Sequence, residues 1–339
     1  MFNFGSKNYD IITIGDTVID AFIRLKEAHV TCKIDKTECE ICMKFGDKIP
    51  FESVDICNAV GNSANAAVSA SRLGLQSAIV TNIGDDQNGK DIIKTFKQEK
   101  VGTEHVKKHK GKKTNYHYVL WFDSERTILI KHENYDYHFP MDLKTKWLYL
   151  SSLGENSLPI HKEIGEFLEK NPEVRLAFQP GTFQIKFGKE KLASIYKRTE
   201  IFFCNKEEAQ RILDTKEVNI QALMKGLAEI GPKIVVITDG PNGAYAHDTR
   251  DKEGVFYFMP TYPDIKPPFE RTGAGDAFAS TFTTAIILGE SVETALLWAP
   301  VNSMSVVQDI GAQKGLLSKE KILEYLKKAP ENYKIKILS

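Results

Sequence analysis

Thr272-Gly273-Ala274-Gly275-Asp276 runs directly into Ala277-Phe278-Ala279-Ser280. Two glycines around an alanine allow a tight backbone turn with side chains out of the way. The apolar residues that follow predict a helix over 275–288. Its first turn offers N–H groups that have no acceptor within the helix. Turn and helix start together make an anion hole suited to a phosphoryl group. Asp276 stands at the mouth of that hole. A carboxylate there is poorly placed to bind phosphate and well placed to take the proton of an incoming hydroxyl. Phosphoryl transfer needs that pairing, because most of its catalysis is positioning plus charge stabilisation. The plain alternative is an N-cap aspartate after a glycine turn. A phosphate loop ending in Gly-Lys-Ser/Thr occurs nowhere in the chain.

Outward from this stretch the chain alternates strand and helix. Strands are predicted at 147–151, 174–178, 200–203 and 233–237. Helices are predicted at 159–170, 188–197, 205–213, 218–230, 291–308 and 318–328. Lys233 to Ile237 is nearly all β-branched, as in a central parallel strand. Gly243–His247 and Val255–Met259 read as a hairpin, and 334–338 as an edge strand. Upstream, Asp10–Ile14 is an apolar first strand ending at Gly15-Asp16. Gly61–Gly74 is helical, Ser77–Asn82 is a strand, and Asn88 to about Lys100 is a helix, a βαβ rhythm.

Two segments break that rhythm. Val30, Cys32 and Ile34 alternate with polar residues, as do Ile41, Met43 and Phe45. Tyr116, Tyr118, Leu120 and Phe122 share one face, followed by Ile128 and Ile130 after a turn at Asp123, Ser124 and Glu125. Period two with one polar face predicts half-exposed antiparallel strands. The economical arrangement is one small sheet built from both insertions and acting as a lid. The expected division is an α/β core of residues 1–20, 58–104 and 133–339, and a β lid of residues 21–57 and 105–132.

Composition narrows the function. The 339 residues carry 45 Lys+Arg and 45 Asp+Glu, so the formal net charge is zero. That argues against a protein built to coat nucleic acid or an anionic membrane. Charged residues are 27% and hydrophobic ones 42%, a globular composition. Five cysteines are no disulfide scaffold, and no signal-peptide pattern opens the chain. A soluble, cytoplasmic protein of a reducing compartment is expected. Cys39 and Cys42 invite a zinc reading, which the lack of a second tight pair disfavours. The eight histidines show no metal-ligand spacing.

Glu270-Arg271-Thr272-Gly273-Ala274-Gly275-Asp276-Ala277-Phe278 resembles the second signature of the ribokinase-like (PfkB) family of carbohydrate and nucleoside kinases. The usual form there has Asp-Thr where this chain has Glu270-Arg271. Further matches follow in the family's order. They are Gly15-Asp16 with Asp20, Gly61-Asn62-Ser63-Ala64-Asn65, Gly84-Asp85-Asp86 with Gly89, Asn205-Lys206-Glu207-Glu208, Thr238-Asp239-Gly240 with Gly243-Ala244, and Gly311-Ala312. The resemblance implies a three-layer α/β/α core with a mostly parallel central sheet and a small β-sheet lid. It also implies ATP and Mg²⁺ as cofactors, while the Glu270-Arg271 departure weakens the inference of a monovalent-cation loop near those two positions.

Each residue then has an expected role beside a plainer one. Asp16 and Asp20 accept hydrogen bonds from vicinal hydroxyls, or merely cap a turn and a strand. Asn62 and Asn65 bind substrate or cap a helix, and Gly61 allows close backbone approach. Gln179 faces substrate or a phosphate-bound water. Glu208 holds Mg²⁺ through water with Asn205 orienting it, or the two form a capping box. Thr238, Gly240 and Gly243 contact nucleotide phosphate, Arg271 pairs with a phosphate or a surface acid, Asn302 borders adenine or ribose, and Gly311 lies near the nucleotide. Asp276 is the base, and Gly273, Ala274 and Gly275 supply the anion hole.

The expected activity is phosphorylation of a hydroxyl on a small sugar-like substrate. The rivals are a nucleoside kinase, adenosine-like, of the same family and a catalytically inactive ATP-binding regulatory relative. A nicotinamide dehydrogenase is disfavoured, because no Gly-Xaa-Gly-Xaa-Xaa-Gly turn follows the first strand. An apolar lid face would allow a homodimer.

Overall fold

The computed structural model describes residues 7–32, 39–122, 125–250 and 254–338. The N-terminal part runs β1 (Tyr9–Ile14), β2 (Val18–Leu25), β3 (His29–Cys32), β4 (Cys39–Cys42), β5 (Phe51–Val60), α1 (Asn62–Arg72), β6 (Ser77–Gly84), α2 (Gln87–Gln98), β7 (Val106–His109), β8 (Tyr116–Phe122) and β9 (Glu125–Lys131). The βα rhythm continues with β10 (Thr145–Leu150), α3 (Leu158–Lys170), β11 (Arg175–Phe178), α4 (Thr182–Phe187), α5 (Ala193–Arg198), β12 (Thr199–Asn205), α6 (Lys206–Leu213), α7 (Ile220–Glu229) and β13 (Ile234–Thr238). It closes with β14 (Ala244–Asp248), β15 (Val255–Met259), α8 (Ala274–Ile287), α9 (Val292–Val306), α10 (Lys319–Lys327) and β16 (Lys336–Leu338).

Ten strands form one sheet in the order β16-β15-β14-β13-β12-β11-β10-β1-β6-β7. Every pairing from β7 to β13 is parallel, and those from β13 to β16 are antiparallel. Helices cover both faces, so the central strands are apolar on both sides. Ile12, Ile14, Leu148 and Phe178 pack toward α3, α5 and α7 on one face. Ile11, Tyr149, Ala177 and Phe203 pack toward α8 and α9 on the other. Successive residues of a strand thus feed separate cores, as the pleat requires. This is the three-layer α/β/α arrangement with a smaller accessory sheet that the alternating pattern predicted.

Several details differ from the expectation. The second sheet is four-stranded, ordered β5-β2-β8-β9, and β3 and β4 form a separate hairpin. β2 pairs with β8 in parallel, not antiparallel. Such a pair needs a long crossover, and the whole stretch from β3 to β7 supplies it. The long strand β5 carries no clean alternation in sequence, because its exposed half is mixed. The register sets Tyr118 beside Leu129, while Ile128 and Ile130 lie beside Val119 and His117 on the opposite face. Ile34 and the turn at Asp123 and Ser124 lie outside the described residues. The helix expected over 188–197 starts only at Ala193, because Gly188 sits at φ +85° and closes α4. Cys32 and Cys39 face each other across the hairpin and form a disulfide, against the expectation of a fully reduced chain. Cys39 is therefore no zinc ligand.

The lid is tied to the core at its base. Asp86 N-caps α2 by accepting from Gly89 N–H at 3.0 Å, and it also accepts from Thr114 N–H at 3.1 Å and Thr114 Oγ1 at 2.6 Å. Burial alone would raise this carboxyl. The hydrogen bonds from Thr114 and Gly89 overcome that and hold it below the usual range. Thr114 lies two residues before β8, so one aspartate fixes both a core helix and the entry to the lid.

Candidate active site

Parallel strands end together, and their carboxyl ends open on the crevice where such folds keep ligands. Asp16 follows β1, Gln179 follows β11, Asn205 ends β12 and Thr238 ends β13. The anion loop meets them at the start of α8. Gly273 is left-handed at φ +81°, and a Cβ there would lie 2.4 Å from Ala312 Cβ. Only glycine fits that contact. Gly275 has nothing within 4 Å of its Cβ position and faces open space. The helix's own ladder starts with Ala277 N–H donating to the Gly273 carbonyl at 2.8 Å, so residues 274–276 have no intrahelical acceptor. Ser303 Oγ of α9 holds the loop from behind by donating to the Ala274 carbonyl at 2.8 Å.

Ala274 and Gly275 form one wall of a cavity of about 320 Å³. Thr238, Gly240, Gly243, Arg271, Tyr262, Phe278, Pro300 and Met304 line the rest. A rim of glycines and a threonine beside an apolar floor suits phosphates at one end and a flat ring at the other.

Asp276 lies next to this cavity and is held by three amides. Asn62 Nδ2 donates to Oδ1 at 2.9 Å, Asn65 Nδ2 to Oδ2 at 2.7 Å and Gln179 Nε2 to Oδ1 at 3.1 Å. Tyr149 OH donates in turn to Gln179 Oε1, which fixes the amide's orientation. Enclosure by protein raises the Asp276 carboxyl above its ordinary value. The three amides oppose the rise, and the charge of Asp20 adds to it. Asp276 is thus both shifted by enclosure and held by three side-chain amides.

Beyond Asp276 lies a polar cluster shared by core and lid. Tyr137 OH donates to Asp16 at 2.9 Å and accepts from Gly154 N–H at 3.2 Å. His132 Nδ1 lies 3.5 Å from Asp16 Oδ2, and His117 Nδ1 lies 3.2 Å from Asp20 Oδ1. The two imidazoles meet at Nε2 over 3.2 Å. Thr17 Oγ1 is buried without a hydrogen-bond partner among the described residues, and the approaches of Asp20 Oδ1 and His132 Nδ1 to His117 and Asp16 are charge contacts that fall short of aligned hydrogen bonds. A polar ligand would supply them.

The structure brings most expected residues to one crevice, with shifted roles. Asn62, Asn65 and Gln179 all donate to Asp276. Gly61, at φ +112°, would place a Cβ 2.6 Å from the Asp16 carbonyl, so glycine lets α1 approach the first strand's loop. Asn205 and Glu208 form a full capping box, with Glu208 N–H donating to Asn205 Oδ1 at 2.8 Å and Asn205 N–H to Glu208 Oε2 at 2.9 Å. Burial also raises Glu208, and the charge of Asp276 contributes, an environment that a cation would relieve. Its carboxylate therefore fits a water-mediated Mg²⁺ site.

Two expected nucleotide contacts are not in the cavity. Asn302 is fully buried, donating to Thr281 Oγ1 at 2.7 Å and accepting from Leu317 N–H at 2.9 Å. Its neighbours Ser303 and Met304 line the cavity instead. Gly311 N–H donates to Glu270 Oε1 at 3.2 Å. Glu270 also accepts from Thr272 N–H at 2.8 Å and faces Arg126 at 3.8 Å. Each Glu270 oxygen thus accepts a backbone N–H, with a guanidinium beside one of them. Sequence reasoning missed Glu270, His117, His132 and Tyr137. The period-two pattern of 114–122 held a signal for His117, because it puts that residue on the face opposite Tyr116 and Tyr118.

Among solved structures, the chain is similar to a nucleoside kinase from Methanocaldococcus jannaschii, described as an archaeal member of the ribokinase family. The TM-score is 0.72 at 19% identity, covering 96% of this chain and 100% of that one. It is also similar to Arabidopsis thaliana ribokinase complexed with ribose and ATP, with TM-score 0.75, 18% identity and coverage of 95% and 99%. Among curated proteins, an ATP-dependent 6-phosphofructokinase from Thermoanaerobacterium thermosaccharolyticum is 23% identical over 316 residues, 87% of this chain and 89% of that one. A 5-dehydro-2-deoxygluconokinase from Clostridium perfringens is 25% identical over 299 residues, 80% and 85% of the two chains. The family model described as pfkB family carbohydrate kinase matches residues 57–319, and the chain belongs to that family. The family's general activity is ATP-dependent phosphorylation of a small polar substrate.

Proposed function

We propose that this protein transfers the γ-phosphate of ATP to a hydroxyl of a small, unphosphorylated sugar-like molecule. The observation that carries the reading is the place of Asp276. It stands between the glycine-rimmed cavity and the hydroxyl-binding cluster, oriented by Asn62, Asn65 and Gln179. Asp276 takes the acceptor's proton, and the 273–275 loop and the first N–H groups of α8 hold the charge of the transferring group. Arg271 lines the same cavity and is placed to pair with a phosphate. Mg²⁺, held through water by Glu208, would offset charge on the phosphates.

Asp16, Asp20 and the two lid histidines favour a neutral polyol. Among the described residues no lysine or arginine is paired with Asp16, Asp20 or Asp276. Three carboxylates without such a cation disfavour an acceptor that already carries phosphate. A nucleoside acceptor is the second reading, supported by Ile128 and Ile130 on the same lid face as His117. Purified protein with Mg²⁺ and ATP is expected to phosphorylate free sugars faster than their phosphates or nucleosides across one panel. No product from any acceptor would reject the kinase reading, and faster turnover of nucleosides would favour the second reading.

The opposite face of the lid carries Val54, Ile56, Tyr118 and Leu129, all exposed. A second copy of this chain is the occupant we propose for it, since like faces can pair about a two-fold axis. Sedimentation velocity is expected to give a dimer that Tyr118→Lys converts to monomer. A wild-type monomer at micromolar concentration would refute this.

A further inference from the structure

Glu270 is almost fully buried, yet it does not line the cavity beside Ala274 and Gly275. Its two oxygens accept from Thr272 N–H, which opens the anion loop, and from Gly311 N–H, next to the Ala312 that packs on Gly273. One carboxylate therefore ties the anion loop to the loop that supports it. All four lid strands come down around the same point. Arg126 of β9 reaches Glu270 Oε2 at 3.8 Å. Trp121, its register partner on β8, sits edge-on against Phe269 at 4.7 Å between centroids. Cys57 of β5 and Phe22 of β2 close over Gly311, where a Cβ would lie 2.6 Å from Cys57 Sγ. Beneath, Phe269 N–H and Glu270 N–H both donate to the Val307 carbonyl, and Val307 lines the nucleotide cavity.

From this convergence we infer that Arg126 and Glu270 form a latch through which the seated lid completes the anion loop. A buried carboxylate holding two backbone N–H groups is stable only while its charge is compensated. Among the described residues Arg126 is its one ion-pair partner. When the lid lifts, the guanidinium leaves, Glu270 turns toward water, and the Thr272 and Gly311 amides lose their common acceptor. The anion hole is then correctly shaped only when the lid is down. Transfer of phosphate to water is suppressed until an acceptor has been enclosed. Glu270 and Arg126 are positioning residues, and their effect on turnover rests on the kinase reading above.

The test combines Arg126→Gln, Arg126→Lys, Glu270→Gln and the double Gln variant. Arg126 is half-buried at the edge of the lid and belongs to none of the hydrophobic cores, so its variants should fold even where Glu270→Gln does not. Arg126→Gln is expected to lower kcat about tenfold, within the 5–150-fold range usual for coupled sites, with KM for ATP little changed. Arg126→Lys should recover part of the loss, and the double variant should be no worse than the poorer single one. Hydrogen exchange of the ligand-free protein is a readout independent of turnover. Amides of residues 270–276 and 311–312 should exchange faster in Arg126→Gln, although the substitution is in the lid. Unchanged exchange at those amides, a kcat within twofold of wild type, or strictly additive effects in the double variant would overturn the latch. If the wild type phosphorylates no acceptor, the kinase reading falls and the exchange result alone decides the latch.

Discussion

Asp276→Ala is expected to lower kcat by about 10²–10⁴-fold, the usual contribution of a positioned general base. KM for ATP should hardly move, because the cavity walls are other residues. Asp276 belongs to none of the hydrophobic cores, and Asn65 and Gln179 keep their other partners, Gln313 and Tyr149, so the fold should survive. The pH profile gives a sharper reading. Enclosure raises the Asp276 carboxyl above its ordinary value of 3.8. Only the ionised form accepts a proton, so wild-type kcat/KM should fall as pH drops through that raised value. The residual activity of the alanine variant should lack this acidic limb. An acidic limb that persists unchanged, or full turnover, would reject Asp276 as the base. The rise also has a consequence for folding. Between the unfolded and folded values the native chain binds the extra proton, so stability is lost as pH rises through that window.

Gly273→Ala should produce the second-largest effect by a different route. At φ +81° an L residue loses about 1–2 kcal/mol. The new methyl would also lie 2.4 Å from Ala312 Cβ and 2.6 Å from its Cα, and a backbone atom yields little. The loop must shift, and the N–H groups it presents shift with it. A drop in kcat of about 10²–10³-fold is expected, the scale seen when a donor to a developing anion is lost. Gly275→Ala is the control. Its Cβ meets no protein atom, so it should leave melting temperature unchanged and act only through nucleotide affinity. Equal effects of the two variants on thermal stability would show that the turn is not fixed by Ala312.

The two variants also indicate what the sequence makes legible. The anion loop is local: its glycines, its helix and its aspartate lie within five residues, and local geometry is what spacing encodes. The central sheet is legible for a similar reason, since strands buried on both faces are short apolar runs at βα intervals. The lid is less so. β2 and β8 are joined by parallel pairing across most of the N-terminal third, and nothing in either segment names its partner or direction. His117 comes to Asp20 only through that register. Glu270 looks like a surface acid beside an arginine until the 311 loop folds over it. Asn302 shows the reverse failure. A polar residue after Pro300 reads as a ligand contact, yet its two partners come from α8 and from Leu317, far off in sequence.

The crossover between β2 and β8 has a further bearing on how the molecule is made. Ile19 and Tyr116 cannot come together until the chain between them has condensed, because closing so long a loop is entropically unfavourable until other contacts already hold its ends near. As the ribosome releases the chain, Asp16 and Asp20 emerge first and wait for partners synthesised much later. Asp276 emerges later still. The helices α8 and α9 that cover one face of the sheet emerge with and after Asp276, so the nascent protein completes its second core and its candidate site together.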